Sequence, residues 1–476
     1  MAISEYRAVA LSGARIRPAF RPVAAFVVLS LLFGTLIILA TPPLRGPDET
    51  AHFLRAYGVA QGDLVPSIRD AEGRKGIFLP PRLYDGFDFF ERVRIKEKPA
   101  GFAYGPVFRT YFGRPPAAVA PDAPPTFAPY AGSEGYSPIA YLPQSAAALV
   151  ARLLDLEFVP TLYLMRFAGL AAWTALIAVA IAMAPPLAWG LAAIALLPAA
   201  LYGRSVINAD GGALAAAMLV TVSWLRGMVS VDYYIPRRHA FWLMLSALTK
   251  PTNIAFVLLT PLGNRPGCWR LFALTTIPAI AVAFLWIMRS GADTAAWRMV
   301  ELTGQAPMAF DPAARFAYLL DDPLHFPAAV IRALAEKDPA ELWRQVIGVL
   351  GLFDTVLQPW VYPAVTVLLF GTFFTRLPIA SAARARVAVT AAITALAYAA
   401  AVFAVCYLAF TPPDADVVWG VQGRYFVPIL PVAAVMVAAL VDRSPDERLT
   451  AALAIAVAGL SGVASVEAIL RADWRY

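Results

Sequence analysis

Long apolar runs alternate with polar loops along this chain, and the runs are too long and too continuous for strands. They fall near residues 23–40, 138–154, 161–184, 187–202, 211–228, 240–261, 271–288, 359–374, 387–410, 426–441 and 449–470. Most approach the roughly 20 residues that carry an α-helix across about 30 Å of hydrocarbon. Hydrocarbon offers no partner to backbone N–H and C=O groups, so such runs must be helices that satisfy themselves internally. The short alternating segments that a β-barrel needs do not appear. The pattern predicts an all-α, polytopic transmembrane bundle of about ten to twelve spans, the count being least defined around 187–239, where Pro198 interrupts a short run.

Two polar stretches break the series. The first, from about Leu44 to Tyr136, is rich in Pro, Gly, Asp, Arg and aromatic residues; the second, from Arg289 to about Gln358, carries short amphipathic helices, one of them around 338–352. Loops of this length are usually functional or disordered. Arg7, Arg15, Arg17 and Arg21 precede the first run, which lacks a small-residue cleavage site and is followed by Pro42-Pro43. It reads as an uncleaved anchor with its N-terminus in the cytoplasm. The chain then divides into a cytoplasmic N-terminus (1–22), a first transmembrane helix (23–43), a first extracytoplasmic loop (44–136), transmembrane helices (137–288), a second large extracytoplasmic loop (289–358), C-terminal transmembrane helices (359–470) and a tail (471–476). Alternating the runs also puts the 414–425 loop outside and Arg376, Arg384, Arg386 and the 442–448 loop inside. One loop objects: Arg226, Arg237, Arg238 and His239 fall outside, against the tendency of arginine to stay cytoplasmic. No internal repeat is visible, which weakens a transporter assembled from inverted repeats.

Composition agrees with the pattern: 60% of the 476 residues are hydrophobic, 15% are charged, and the mean hydropathy is +0.64. The net charge of +7 comes from arginines scattered through loops and helix ends. Without a basic stripe and interleaved aromatics, it points to topology and anionic lipid, not to nucleic acid. Cys268 and Cys406 are the only cysteines, too few for a disulfide framework and wrongly spaced for a metal site. There is no GxxxxGK[ST] loop, dinucleotide fingerprint or HExxH helix, and the three histidines are scattered.

Polar chemistry collects in a few places. The first long loop opens Arg45-Gly46-Pro47-Asp48-Glu49-Thr50-Ala51-His52-Phe53-Leu54-Arg55. Pro47 at a first helical position followed by acids predicts a helix start, with Asp48, His52 and Arg55 on one face and Glu49 beside it. A carboxylate so placed could accept a proton from an acceptor hydroxyl while cations neutralise a leaving phosphate. The same acids would equally complement the helix dipole, with Arg55 on lipid phosphate. Tyr136-Ser137-Pro138 stands before the second run and suits either a site or an interfacial anchor. Arg204 and Asp210 flank a polar break between two runs, where they either pair or line a cavity; Lys250, followed by Pro251, lies within apolar sequence and must pair, snorkel or face a polar cavity. Gly420-Val421-Gln422-Gly423-Arg424-Tyr425 combines glycines that let the backbone approach a ligand with a guanidinium fork suited to phosphate.

Pro47-Asp48-Glu49 with His52 and Arg55, then Tyr136-Ser137-Pro138, resembles the opening of the GT-C superfamily of membrane glycosyltransferases. Together with Asp210, Lys250-Pro251, Ile347-Gly348, Gly351, Asp354, Pro359, Gly420 to Tyr425 and Pro428, the ordered set more closely resembles the bacterial "domain of unknown function 2142" membrane-protein family, over nearly the whole chain. The resemblance implies a multi-pass protein of the bacterial inner membrane. It also implies transfer of a sugar from a polyprenyl-phosphate donor to a saccharide, lipid or protein acceptor at the extracytoplasmic face. On that analogy Asp48 is the catalytic carboxylate and Glu49 its neighbour, the two holding Mg2+ or Mn2+ if a metal is used. His52, Arg55, Tyr136, Ser137, Arg204, Asp210, Lys250, Gln422, Arg424 and Tyr425 are the candidate substrate-binding residues, with Lys250 and Arg424 assigned to the carrier phosphate by their charge. A flippase of lipid-linked saccharides and a non-catalytic subunit of the same fold are the alternatives.

Overall fold

The computed structural model describes residues 20–94, 98, 101–114, 123–229, 235–260, 268–290, 312–336, 338–412, 415–443 and 446–475. Arg7, Arg15, Arg17 and Asp414 lie outside the described residues. The fold is a polytopic all-α bundle. Every apolar run is helical, and the only sheets among the described residues are two two-stranded pairs.

Six helices are long and apolar enough to cross a bilayer alone: Arg21–Ala40, Phe158–Met183, Asp210–Val229, Ser381–Phe410, Gly423–Val441 and Glu447–Trp474. The pair Pro185–Ala195 and Pro198–Ser205 is long and apolar enough only when taken together, and it is bent by 71° where Pro198 denies the chain a helical N–H. The remaining runs are short or broken. Leu142–Leu153 has 12 residues, Val361–Gly371 has 11, and 240–261 is divided at Lys250 into Pro236–Thr249 and a 3-10 segment Pro251–Leu259.

We label the helices that build the site α1 (Phe20–Ala40), α2 (Glu49–Ala60), α3 (Pro81–Val93), α4 (Leu142–Leu153), α5 (Phe158–Met183), α6 (Ala188–Ala195), α7 (Pro198–Ser205), α8 (Asp210–Val229), α9 (Pro236–Thr249), α10 (Cys268–Ser290), α11 (Pro339–Gly348), α12 (Val361–Gly371), α13 (Ser381–Phe410), α14 (Leu430–Val441) and α15 (Glu447–Ile469). Helix α8 is the axis of the bundle, buried at every position from Gly211 to Leu225. Its small first turn admits Trp173 from α5, whose ring leaves only 2.8 Å to a Cβ built on Gly211. Close approach at small residues is how helices pack where no hydrophobic effect drives them together. Lipid-facing surfaces are apolar, as at Leu32 and Leu39 of α1, Leu285 and Met288 of α10, and Ile393 and Leu396 of α13, all exposed.

A second, smaller core lies beyond the membrane-crossing one. It joins Phe53 and Tyr57 of α2, Phe87 and Phe90 of α3, Ala147 and Ala148 of α4 and the start of α5 at Phe158 and Leu162. Helix α4 therefore belongs to the loop layer. Its Gln144 abuts Gly169, Arg152 donates to the carbonyl of Ala60 at 2.5 Å, and Asp155 just beyond it pairs with Arg82 at 3.1 Å.

At 12 residues α4 is too short to cross, so the run 138–154 adds no crossing by length, and the helices from α5 to α9 run opposite to the direction that alternation of the runs predicts. Arg226 reaches the carbonyl of Met183 at 3.4 Å, Thr375 donates to Pro186 O at 2.9 Å, and Arg376 and Arg384 both pair with Asp442. Arg226 and the start of α9, with Arg237 and Arg238, thus share one end of the bundle with Arg376 and Arg384. The loop that broke the charge rule no longer does. His239 sits inside that end, fully buried, its Nδ1 3.1 Å from Ser223 Oγ.

Candidate functional site at one end of the bundle

Four charged side chains from distant segments meet at the opposite end. Arg424 Nη2 donates to Asp48 Oδ2 at 2.6 Å and its Nη1 to Asp210 Oδ2 at 3.3 Å; Lys250 Nζ donates to Asp210 Oδ1 at 2.7 Å. Asp48 follows α1, Asp210 opens α8, Lys250 closes α9, and Arg424 sits in the 3-10 turn Gly423–Ile429 that leads into α14. Helix breaks create these positions: Pro251 stops α9, so Lys250 has extended backbone at φ −153°, ψ 129°. Gln422 Oε1 accepts from Arg424 Nε at 2.8 Å, and the ring of Tyr425 lies 4.4 Å from Lys250 Nζ and 5.1 Å from the Arg424 guanidinium. A second ring, Phe353, lies 5.2 Å from that guanidinium and has left-handed backbone at φ 64°. Arg424 is held in one pose by a hydrogen bond, two carboxylates and two aromatic faces.

Asp48 differs from the expected first-turn residue. Helix α2 begins at Glu49, and Asp48 is its N-cap in left-handed backbone at φ 56°, ψ 18°, a conformation an aspartate adopts at modest cost. The predicted shared face of Asp48, His52 and Arg55 is therefore not formed. Asp48 turns to Arg424, with 27% of its side chain exposed, the most open carboxylate of the four-residue group.

Glu49 is buried elsewhere. Arg166 of α5 grips it through Nε at 2.8 Å and Nη2 at 2.7 Å, and the N–H groups of Gly46 and Ile207 each donate to it at 3.0 Å. The same arginine donates to the carbonyls of Thr41 and Pro42 at 2.7 and 3.0 Å, supplying partners at the C-terminal end of α1. With four N–H donors on its two oxygens, Glu49 has no lone pair to offer a cation or substrate, and the carboxylate pair expected for a metal does not exist. Asp48 and Asp210 are each bound to a cation, and among the described residues no three His, Cys, Asp or Glu side chains cluster as a metal site would require. The residues present do not fit Mg2+ or Mn2+.

The other candidates divide in the same way. Arg55 is fully buried and donates to the carbonyls of Asp63, Leu64 and Tyr136 at 2.7, 2.8 and 3.2 Å, which makes it a brace of the loop layer and keeps it from lipid phosphate. Ser137 caps the turn Pro138–Tyr141 and donates to Leu248 O at 2.7 Å. Arg204 does not pair with Asp210; its partners are Ala200 O at 3.0 Å and Ser30 Oγ at 3.2 Å. His52 and Tyr136 remain beside the charged group: His52 Nδ1 is 2.5 Å from Tyr141 Oη, and the Tyr136 ring meets the His52 ring edge-on at 5.3 Å. Burial, together with the nearby Tyr425 and Asp210, pushes the Tyr136 phenol above its ordinary range, so it stays protonated and able to donate.

Arg45 is not among the sequence's candidate site residues, yet it is fully buried and ties three parts of the chain together. It pairs with Asp354 at 2.5 Å and Asp473 at 3.3 Å, and Lys98 joins Asp473 from the first loop. Burial works against the Arg45 charge, but the two aspartates hold its pKa above the usual arginine value. Arg166 was missed as well. A lone arginine inside the run 161–184 was the available signal, since an ionisable group at membrane depth needs a partner.

Residues 31–433 match the model of a family described as predicted membrane protein, the domain of unknown function 2142. The chain belongs to that family. No curated protein and no solved structure matches it. The matched region contains Asp48, Asp210, Lys250 and Arg424 as well as the Glu49–Arg166 pair, whereas Asp473 lies beyond it. The family's description carries a membrane location and names no reaction.

Proposed function

We propose that this protein is a GT-C-type glycosyltransferase that moves a sugar from a polyprenyl-phosphate carrier to a hydroxyl acceptor at the extracytoplasmic face of a bacterial inner membrane. The observation that carries this reading is the chain Asp48–Arg424–Asp210–Lys250, which joins a partly open carboxylate to two cations where apolar helices end. The orientation follows from charge: the end bearing Arg226, Arg237, Arg238, Arg376 and Arg384 is the cytoplasmic one by the positive-inside tendency, and the charged group is at the other.

In this mechanism an acceptor hydroxyl attacks the anomeric carbon while Asp48 takes its proton. The bond from that carbon to the phosphate oxygen breaks, and the carrier leaves as a phosphate whose new charge is met by Arg424 and Lys250. Both cations are already fixed by Asp210 and aromatic faces, so little reorganisation accompanies the charge movement. The rest of the donor is lipid and reaches the site from the bilayer side, without a soluble nucleotide pocket. A flippase would need polar groups along its whole path. The buried length of α8 below Asp210 bears only Thr221, Ser223 and the Trp224 indole as polar side chains, which favours chemistry at one end over passage along this helix.

The test is transfer from radiolabelled undecaprenyl-phosphate sugars to an envelope-extract acceptor by the purified protein in nanodiscs. Asp48→Asn is expected to lower the rate by about 10²–10⁴-fold, the range of a general base, with expression and thermal stability retained. Equal label transfer by the variant and the wild type would refute the role of Asp48.

A further inference from the structure

We infer that a small cavity beside the charged group receives one hydroxyl group of the sugar carried by the donor, with Asn208 as a binding residue; this rests on the transferase reading above. The cavity is about 20 Å³ and is lined by Pro47, Tyr202, Gly203, Asn208, Asp210 and Arg424 among others. That volume holds a single oxygen-sized group.

Asn208 is 1% exposed, and its amide orientation is fixed because Oδ1 accepts from the Asp210 N–H at 2.9 Å. The opposite atom, Nδ2, has no hydrogen-bond partner among the described residues. A buried amide donor left unmade costs free energy that a bound acceptor would return. Nδ2 faces the side on which Gly203 lacks a side chain: a Cβ built on Gly203 would lie 3.7 Å from Nδ2 and 3.5 Å from Asp210 Cβ. Across the same space the Asp210 carboxylate, 22% exposed, can accept. A group that both accepts from Asn208 and donates to Asp210 is a hydroxyl. A phosphate oxygen, which only accepts, would offer the Asp210 carboxylate no donor there. Arg424 lines the cavity and Asp48 does not, which sets it on the carrier-phosphate side and assigns it to the sugar being transferred.

Two variants test this in the full-length protein. Gly203→Ala puts a methyl group into the cavity without a clash, and the helical position favours alanine. Asn208→Ser keeps an oxygen for the Asp210 N–H and withdraws the amide. Binding of undecaprenyl phosphate and of its glucose, galactose, mannose and N-acetylglucosamine derivatives would be measured in nanodiscs by titration calorimetry. The wild type is expected to bind at least one sugar-bearing carrier roughly ten-fold more tightly than the bare carrier, as one or two buried hydrogen bonds would give. Both variants should lose that preference while keeping their affinity for undecaprenyl phosphate. Persistence of the sugar preference in both variants, or its absence in the wild type, would overturn the pocket and leave the transferase reading standing. Failure of the wild type to bind undecaprenyl phosphate at all would remove both.

Discussion

Arg166 and Glu49, 117 positions apart, form a fully buried bidentate ion pair that fixes the start of the first loop to the second long span. One residue earlier, Asp48 faces the other way, to Arg424. Adjacent acids thus hold different posts, the first at the open site and the second in the framework beneath it.

Removing one partner of such a buried pair strands a charge in a medium that cannot solvate it. Glu49→Gln and Arg166→Met are each expected to cost about 3–5 kcal/mol, seen as a lower thermal midpoint in detergent. Unfolding at the wild-type temperature would show that the pair does not hold the loop.

Arg424 bridges two carboxylates, a geometry that lysine cannot reproduce. Arg424→Ala is expected to raise the apparent KM for the lipid-linked donor at least ten-fold, by the loss of a charge-assisted contact, and Arg424→Lys to recover only part of it. An unchanged KM would hand the phosphate to another residue.

Gly423 lets the segment bearing Arg424 lie against α11. A Cβ there would run into the carbonyl oxygen of Leu342 and come within 2.8 Å of the Val346 N–H nitrogen. Backbone cannot move aside as a side chain can, so Gly423→Ala should destabilise by about 1–3 kcal/mol and depress transfer along with it. Wild-type stability together with wild-type transfer would show that the two segments can separate freely.

Topology can be read by labelling single cysteines placed in a background with Cys268 and Cys406 replaced. Arg237→Cys and Arg384→Cys should label from one side of the membrane, and Phe112→Cys and Asp416→Cys from the other. Labelling of Arg237→Cys together with Asp416→Cys would restore α4 as a crossing and undo the parity argued from Arg152 and Gln144.

Much of the fold was legible because lipid imposes a local rule. A run of 20 apolar residues can satisfy its backbone only as a helix, whatever surrounds it. Segments of 12 residues escape that rule. Leu142–Leu153 has the composition of a span, but its place in the loop layer depends on Phe53, Phe87 and Phe158 gathering around it. The meeting of charged residues was legible in part. Asp48, Asp210, Lys250 and Arg424 stood out as charges at the margins of apolar runs, and they do converge. Arg55 and Glu49 stood out for the same reason and brace the fold instead, as does Ser137.

The amino-acid order alone determined that this chain is a helical membrane protein with its polar residues gathered where helices begin and end, because burial in hydrocarbon is decided segment by segment. Which acid stays open and which is locked away, which arginine bridges and which caps, and whether Asn208 faces a cavity were decided only by the packing of segments up to hundreds of residues apart. A side chain's partners are set by where the backbone carries it, and no local pattern encodes that path.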